Sequence, residues 1–218
     1  MYDLLGYRNG AVVTEDHPQL RRPDLFGPYA RGKVEAERLI GRAQQEGVST
    51  TIVRPGIVIG PRGRVFFPHM GFRLRDKVFL IPGRGDAVLS LVYIDSLVDG
   101  AIMAAHSDAA QGKVYNLVDD GNVIVADYIR RFIQQTKLGS KCFRLPLFII
   151  YSSALAYEVI SAFGLLKKGV TSRRQMRWKY SHVIFSAEAA KRDFAWRSAL
   201  SVEEAMTRTF DWYLRARR

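Results

Sequence analysis

Short β-branched runs alternate with amphipathic stretches along most of this 218-residue chain. That alternation between a period near 2 and a period near 3.6 constrains the fold more than any other feature, and it predicts an α/β protein with a mainly parallel sheet. A helix is expected from Gly27-Pro28-Tyr29 to about Gln45, with apolar or small residues at Ala30, Val34, Ala36, Leu39, Ile40 and Ala43. Pro28 suits its first turn and Gly47 its end. Thr50-Thr51-Ile52-Val53 reads as a buried strand that runs into Arg54-Pro55-Gly56. Further strands are expected at 78–81, 89–94 and 114–118, and helices at 67–76, 96–106, 125–136 and 201–213. Asp95 is placed to cap the second of these helices, and Glu203 and Glu204 favour the start of the last. Residues 6–26 read as a long polar loop with no strand before it, an uncommon way for a domain to begin.

One segment departs from the alternation. Residues 145–166 are apolar, interrupted only by Pro146, a few Ser and Tyr residues, Glu158 and Gly164. Lys167 and Lys168 follow, then Arg173, Arg174, Arg177 and Lys179. Three readings stand: a helix or helix pair capping an apolar cavity, which is preferred; a monotopic membrane contact with the basic run against anionic lipid, spanning 145–179; and a membrane span, against which Glu158 counts.

The formal charge is +12, which suggests an anionic partner such as a phosphorylated cofactor, an anionic membrane or nucleic acid. The basic residues are spread along the chain without a recognition motif, so a nucleic-acid module is disfavoured. A single cysteine, Cys142, excludes an internal disulfide and is expected to be a buried, unreactive thiol. No Cys/His cluster marks a metal site, so none is expected. Residues 1–16 lack a secretory leader, and a cytoplasmic location is expected, with membrane association as an option.

Tyr29 and Lys33 stand four residues apart, so one helix face can present both. A free phenol is a poor base at neutral pH, and a neighbouring cation favours the phenolate. Such a phenol can take the proton of a substrate alcohol as hydride leaves carbon, or give it to a carbonyl in reverse. The strand that follows opens at its carboxyl end into Pro55-Gly56, where open α/β sheets bind cofactors.

With these motifs in this order, the chain resembles the extended short-chain dehydrogenase/reductases, the NAD-dependent epimerase/dehydratase family. Pro28-Tyr29-Ala30-Arg31-Gly32-Lys33-Val34-Glu35-Ala36-Glu37 resembles that family's active-site helix. Val53-Arg54-Pro55-Gly56-Ile57-Val58-Ile59-Gly60-Pro61 resembles its Arg-Pro strand end, with Ile59 where Tyr is usual. Leu91-Val92-Tyr93-Ile94-Asp95 resembles a strand-to-helix segment in which Tyr93 and Ser96 replace the usual His and second Asp. Val114-Tyr115-Asn116-Leu117 and the closing stretch from Phe185 to Tyr213 extend the resemblance over essentially the whole chain.

The resemblance implies the C-terminal part of a Rossmann-like doubly wound parallel sheet, plus a small substrate-binding α/β lobe. Residues 1–136 would form the sheet part, interleaved with lobe segments, and 137–218 the lobe with its apolar helix and closing helix. It implies that Tyr29 is the catalytic acid/base and that Lys33 assists it and binds the nicotinamide ribose of NAD or NADP. Pro55, Gly56, Ile57 and Val58 would line the nicotinamide, and Phe66, Phe67, Arg84 and Tyr93 fall where relatives build a substrate pocket. The apolar segment is similar to 3β-hydroxysteroid dehydrogenase-like and dihydroflavonol reductase-like members, and implies a small apolar substrate that is sterol-, terpenoid- or lipid-like. A homodimer through the active-site helix is a further implication. The alternatives are a catalytically silent member acting as a binding or regulatory protein, and a nucleotide-sugar epimerase or dehydratase.

No Gly-x-x-Gly-x-x-Gly turn occurs in these 218 residues, and the family's catalytic Ser or Thr would precede Tyr2. The expectation is a chain that corresponds to the C-terminal portion of a reductase and does not turn over by itself.

Overall fold

A computed structural model describes residues 9–74, 78–138, 141–165, 176, 180 and 182–217. The basic residues at 167–179 named above lie outside the described residues.

The sheet part is built from short parallel pairs. Strand β1 (Ala11–Val13) pairs in parallel with β11 (Val183–Phe185), and the Gly10 N–H donates to the His182 carbonyl at 2.7 Å. Residues 6–26 are therefore not wholly loop. Three residues are too few to show a period, and their partner arrives some 170 residues later in the sequence. Helix α1 (Pro28–Gln45) leads to β2 (Ile52–Pro55), which pairs in parallel with β8 (Val114–Leu117). After one residue the chain resumes as β3 (Ile57–Ile59), now paired in parallel with β7 (Leu91–Tyr93).

Gly56 is the point where the strand changes partner. Its N–H donates to the Leu117 carbonyl at 2.9 Å, and the next N–H, from Ile57, donates to the Ser90 carbonyl at 2.8 Å. A Cβ at Gly56 would come within 2.5 Å of the Ser90 oxygen and 2.9 Å of Val118 Cγ1. The glycine is required here by backbone packing against backbone.

A second sheet runs β10 (Lys141–Leu145), β5 (Val78–Pro82), β4 (Phe72–Leu74), with β4 antiparallel to β5. Residues 67–74 are thus not a helix, and 75 and 76 of the expected span lie outside the described residues. Phe66, Phe67 and Met70 imitate helical spacing, but a 3-10 turn at Pro68–Met70 ends at Gly71, whose φ of 102° turns the chain into β4. Among the described residues β10 is an edge strand, and Cys142 on it is exposed rather than in the core. Partial burial still pushes its thiol upward in pKa, which keeps it protonated.

The predicted strand at 89–94 divides at Ser90 into β6 (Val88–Leu89), paired with β9 (Val123–Ile124), and β7. Helix α2 (Ile94–Ala105) starts early, so Asp95 lies inside its first turn and makes no cap. Helices α3 (Val125–Thr136), α4 (Leu147–Ala162), α5 (Glu188–Phe194) and α6 (Val202–Arg215) complete the fold. Ser201 caps α6, its hydroxyl accepting from the Glu204 N–H at 3.2 Å.

The core lies between the sheets, α3 and α6. Phe132 of α3 meets Phe210 of α6 edge-on at 5.3 Å, and Phe66 of the loop after β3 meets Phe132 at 4.7 Å. Trp196 is fully buried, and its indole N–H donates to the Ser96 carbonyl at 2.9 Å, tying the segment after α5 to α2. Among the described residues, no helix is long and apolar enough to cross a membrane.

Candidate active site

The first turns of α1 carry the two residues expected to do chemistry. Lys33 Nζ lies 5.7 Å from the centre of the Tyr29 ring, so the four-residue spacing brings ammonium and phenol together. Tyr29 is 66% exposed and Lys33 is exposed, while Ala30 is the one residue of α1 that is fully buried.

What holds α1 to the sheet is polar, and sequence reasoning missed it. Arg54, near the carboxyl end of β2, reaches Glu37 with Nε at 2.8 Å and Nη2 at 2.7 Å, a two-pronged contact. The two side chains are 6% and 10% exposed. Gln19 donates to the same Glu37 carboxylate at 2.7 Å, and Arg54 also donates to the Glu15 carbonyl at 3.2 Å. Glu15 in turn accepts from the Asn116 N–H at 2.8 Å, on the strand paired with β2. Glu37 lies four residues beyond Lys33 and eight beyond Tyr29, along one side of the helix. The signal in the sequence was that spacing together with an arginine placed just before the proline at a strand end.

The remaining expected site residues fall into separate places. Pro55, Gly56 and Val58 are half-buried and Ile57 is buried at the β2–β3 junction. With the N–H groups of Gly56 and Ile57 committed to the sheet, this junction offers an apolar lining rather than hydrogen-bond donors. Phe66 and Phe67 line a cleft of about 580 Å³ whose opposite wall is the start of α4, at Ile149, Ile150, Ser153 and Ala154. Arg64 and Arg73 also line it. The Arg73 guanidinium stacks 4.5 Å from the Phe66 ring centre and donates to the Tyr213 hydroxyl at 2.9 Å. Arg84 is exposed in the turn after β5, apart from that lining. Tyr93 is buried at the end of β7, beside Gly60, and its N–H donates to Asp119 Oδ2 at 2.6 Å. Burial pushes the Asp119 carboxyl upward in pKa.

A second, polar cleft of about 430 Å³ runs past Glu15, Lys113 and Asp193. Lys113 at 2.9 Å, the Tyr115 hydroxyl at 2.8 Å and Arg192 at 2.8 Å surround Asp193 and hold its carboxyl down to about 2. The same pairing, with desolvation as the larger cause, raises the Tyr115 phenol to about 12. These charges satisfy one another and read as a structural clamp between β8 and α5.

The fold these elements make is Rossmann-like α/β, with parallel strand pairs and a Tyr-Lys helix beside a strand's carboxyl end. Residues 10–117 match the family model described as NAD dependent epimerase/dehydratase family, and the chain belongs to that family. It is 27% identical over 212 residues to a 2-alkyl-3-oxoalkanoate reductase of Shewanella oneidensis, covering 90% of this chain and 54% of that protein. It is 24% identical over 220 residues to a mouse (Mus musculus) sterol-4-alpha-carboxylate 3-dehydrogenase, decarboxylating, covering 96% of this chain and 59% of that one. A UDP-glucuronic acid 4-epimerase from Bacillus cereus, solved in complex with NAD, superposes with a TM-score of 0.71 at 17% identity, over 99% of this chain and 60% of that one. The chain thus spans between about half and three-fifths of the length of these relatives.

The residues present fit one end of a nicotinamide cofactor. Tyr29 and Lys33 offer an exposed hydroxyl and ammonium on one helix face, and the β2–β3 junction offers an apolar lining. The glycine-rich turn that would hold a pyrophosphate is not in this sequence.

Proposed function

We propose that this chain contributes the acid/base and substrate side of an NAD(P)-dependent oxidoreductase that acts on a hydroxyl or ketone of an apolar molecule. The observation that carries the reading is the cleft whose lining is mainly aromatic and aliphatic, at Phe66, Phe67, Phe72, Leu145, Ile149 and Ile150, with Arg64 and Arg73 also on it. Two relatives, named for a 2-alkyl-3-oxoalkanoate and for a sterol-4-alpha-carboxylate, support it.

In this reading Tyr29 and Lys33 hold the nicotinamide ribose, and Pro55, Gly56, Ile57 and Val58 line the ring. Bound there, NAD(H) or NADP(H) accepts or supplies the hydride. In the reductive direction the Tyr29 hydroxyl donates its proton to the ketone oxygen, and in the oxidative direction the phenolate takes that proton back. The Lys33 ammonium beside the ring stabilises the phenolate between those events. Phe66 and Phe67 seat the apolar body against α4. Arg84, exposed after β5, and Tyr93, buried at the end of β7, lie outside that lining. A homodimer through α1, whose Leu39 is exposed, belongs to the same proposal.

The 218 residues alone are expected to give no turnover, since their sequence holds no glycine-rich turn for the pyrophosphate; cofactor reduction by the purified chain would overturn that part. Substrate binding is tested separately by calorimetry with a 3-ketosteroid and a 2-alkyl-3-oxo acid. Binding to the chain that Phe67→Asp abolishes and Tyr29→Phe leaves intact supports the cleft as the substrate site. Absence of binding by both compounds would contradict it.

A further inference from the structure

α4 is apolar on nearly every side, and most of it faces outward. Phe148 is 68% and Phe163 78% exposed, and Leu155, Val159, Ile160 and Leu165 are exposed beside them. From 146 to 166 the sequence holds one charged residue, Glu158, and that side chain is half-buried. The helix is 16 residues long, about 24 Å, so it presents an apolar face of a length that suits lying along a surface and not crossing a bilayer. Exposed apolar patches of this extent mark interaction sites.

Two observations select the partner. Lys141 and Arg144 are exposed on β10 just before the helix. The apolar surface is also continuous with the cleft. The inner side of α4, at Ile149, Ile150, Ser153 and Ala154, is the cleft wall, and Phe72 on the opposite rim is itself exposed.

We propose that α4 is a monotopic docking surface for an anionic bilayer. Its outer face sits among the acyl chains, with Lys141 and Arg144 at the headgroups. The mouth of the Phe66–Phe67 cleft then meets the membrane, and an apolar ligand passes from lipid to cleft without crossing water. Only this last point, the route of entry, rests on the apolar-substrate reading; the docking itself does not.

The test is co-sedimentation of the 218-residue chain with vesicles of phosphatidylcholine, with and without about 30% phosphatidylglycerol. Wild type should bind the anionic vesicles about tenfold more tightly than the neutral ones, and added salt should remove that preference. Phe148→Asp/Phe163→Asp, at two highly exposed positions, should lower binding by about 100-fold or more with an unchanged melting temperature. Lys141→Gln/Arg144→Gln should lower binding to anionic vesicles severalfold and leave the neutral ones unaffected. A wild-type chain that stays in the supernatant with both vesicle types overturns the proposal, as does a double aspartate variant that binds like wild type. A wild-type dimer that the aspartates convert to monomer, without vesicle binding, also overturns it and makes the face an interface between copies. Vesicles are read with no ligand present, so failure here leaves ketone binding in solution standing, and the reverse.

Discussion

α1 and α3 are both regular helices with a recognisable apolar period, and they are held in opposite ways. α3 buries Val125, Tyr128, Ile129, Phe132 and Thr136, and its rings interlock with those of α6. α1 buries Ala30 alone, leaves Leu39 exposed, and is fixed to the sheet by the Arg54–Glu37 pair and Gln19. The difference separates stability from chemistry. Close-packed apolar contact carries the fold, while the helix bearing Tyr29 and Lys33 stands at the surface on a directional polar tether that sets its register.

The largest effect should come from the packed side of that contrast. Phe132→Ala removes a ring in contact with Phe66, Phe79, Phe210 and Tyr213, and should cost about 3–5 kcal/mol in denaturant unfolding. Next comes the tether. Glu37→Leu strands the buried Arg54 charge and should cost about 3 kcal/mol, with faster amide exchange concentrated in α1. Adding Arg54→Met should return most of the stability, because the uncompensated charge is gone. If exchange rose evenly through α3 as well, the two helices would not be held independently.

A smaller effect is read by acid. The Asp193 carboxyl lies at about 2 in the fold, below an ordinary carboxylate of about 4 when unfolded. Its stabilisation is therefore present above about pH 4 and lost as pH falls through about 2. The melting-temperature difference between wild type and Asp193→Asn should be constant above about pH 5 and shrink towards zero at about pH 2. A difference that grew on acidification would contradict the clamp. The smallest effect on stability belongs to Tyr29→Phe, which removes one oxygen from a largely exposed ring and should change stability by less than about 0.5 kcal/mol.

The helices and the Tyr-Lys pair were legible in the sequence because their determinants are local. Pro28, Ser201 and the period of 125–136 each act within a turn or two. What escaped depended on distant partners. β1 becomes a strand through β11, Ala11 meeting Val183. Gly71 ends an imitation helix so that β4 can pair with β5. Cys142 is exposed on β10, an edge strand among the described residues. The closeness of Gly56 to the Ser90 carbonyl depends on a strand that pairs from about 35 residues further on. In the site, Tyr29 and Lys33 were readable as a pair, whereas Arg54, Glu37 and Gln19 form a network across 35 residues, and Arg73 meets Tyr213 across 140.

The central claim is that Tyr29 is the proton donor and acceptor for an apolar ketone or alcohol. The most direct measurement is NAD(P)H oxidation with a 3-ketosteroid or 2-alkyl-3-oxo acid, by this chain joined to the glycine-turn segment of a family relative, compared with its Tyr29→Phe variant. The account predicts turnover that falls by about 100-fold or more in the variant while ketone affinity stays the same. A variant as fast as the parent, or a parent that binds the ketone and cofactor without turnover, would contradict it.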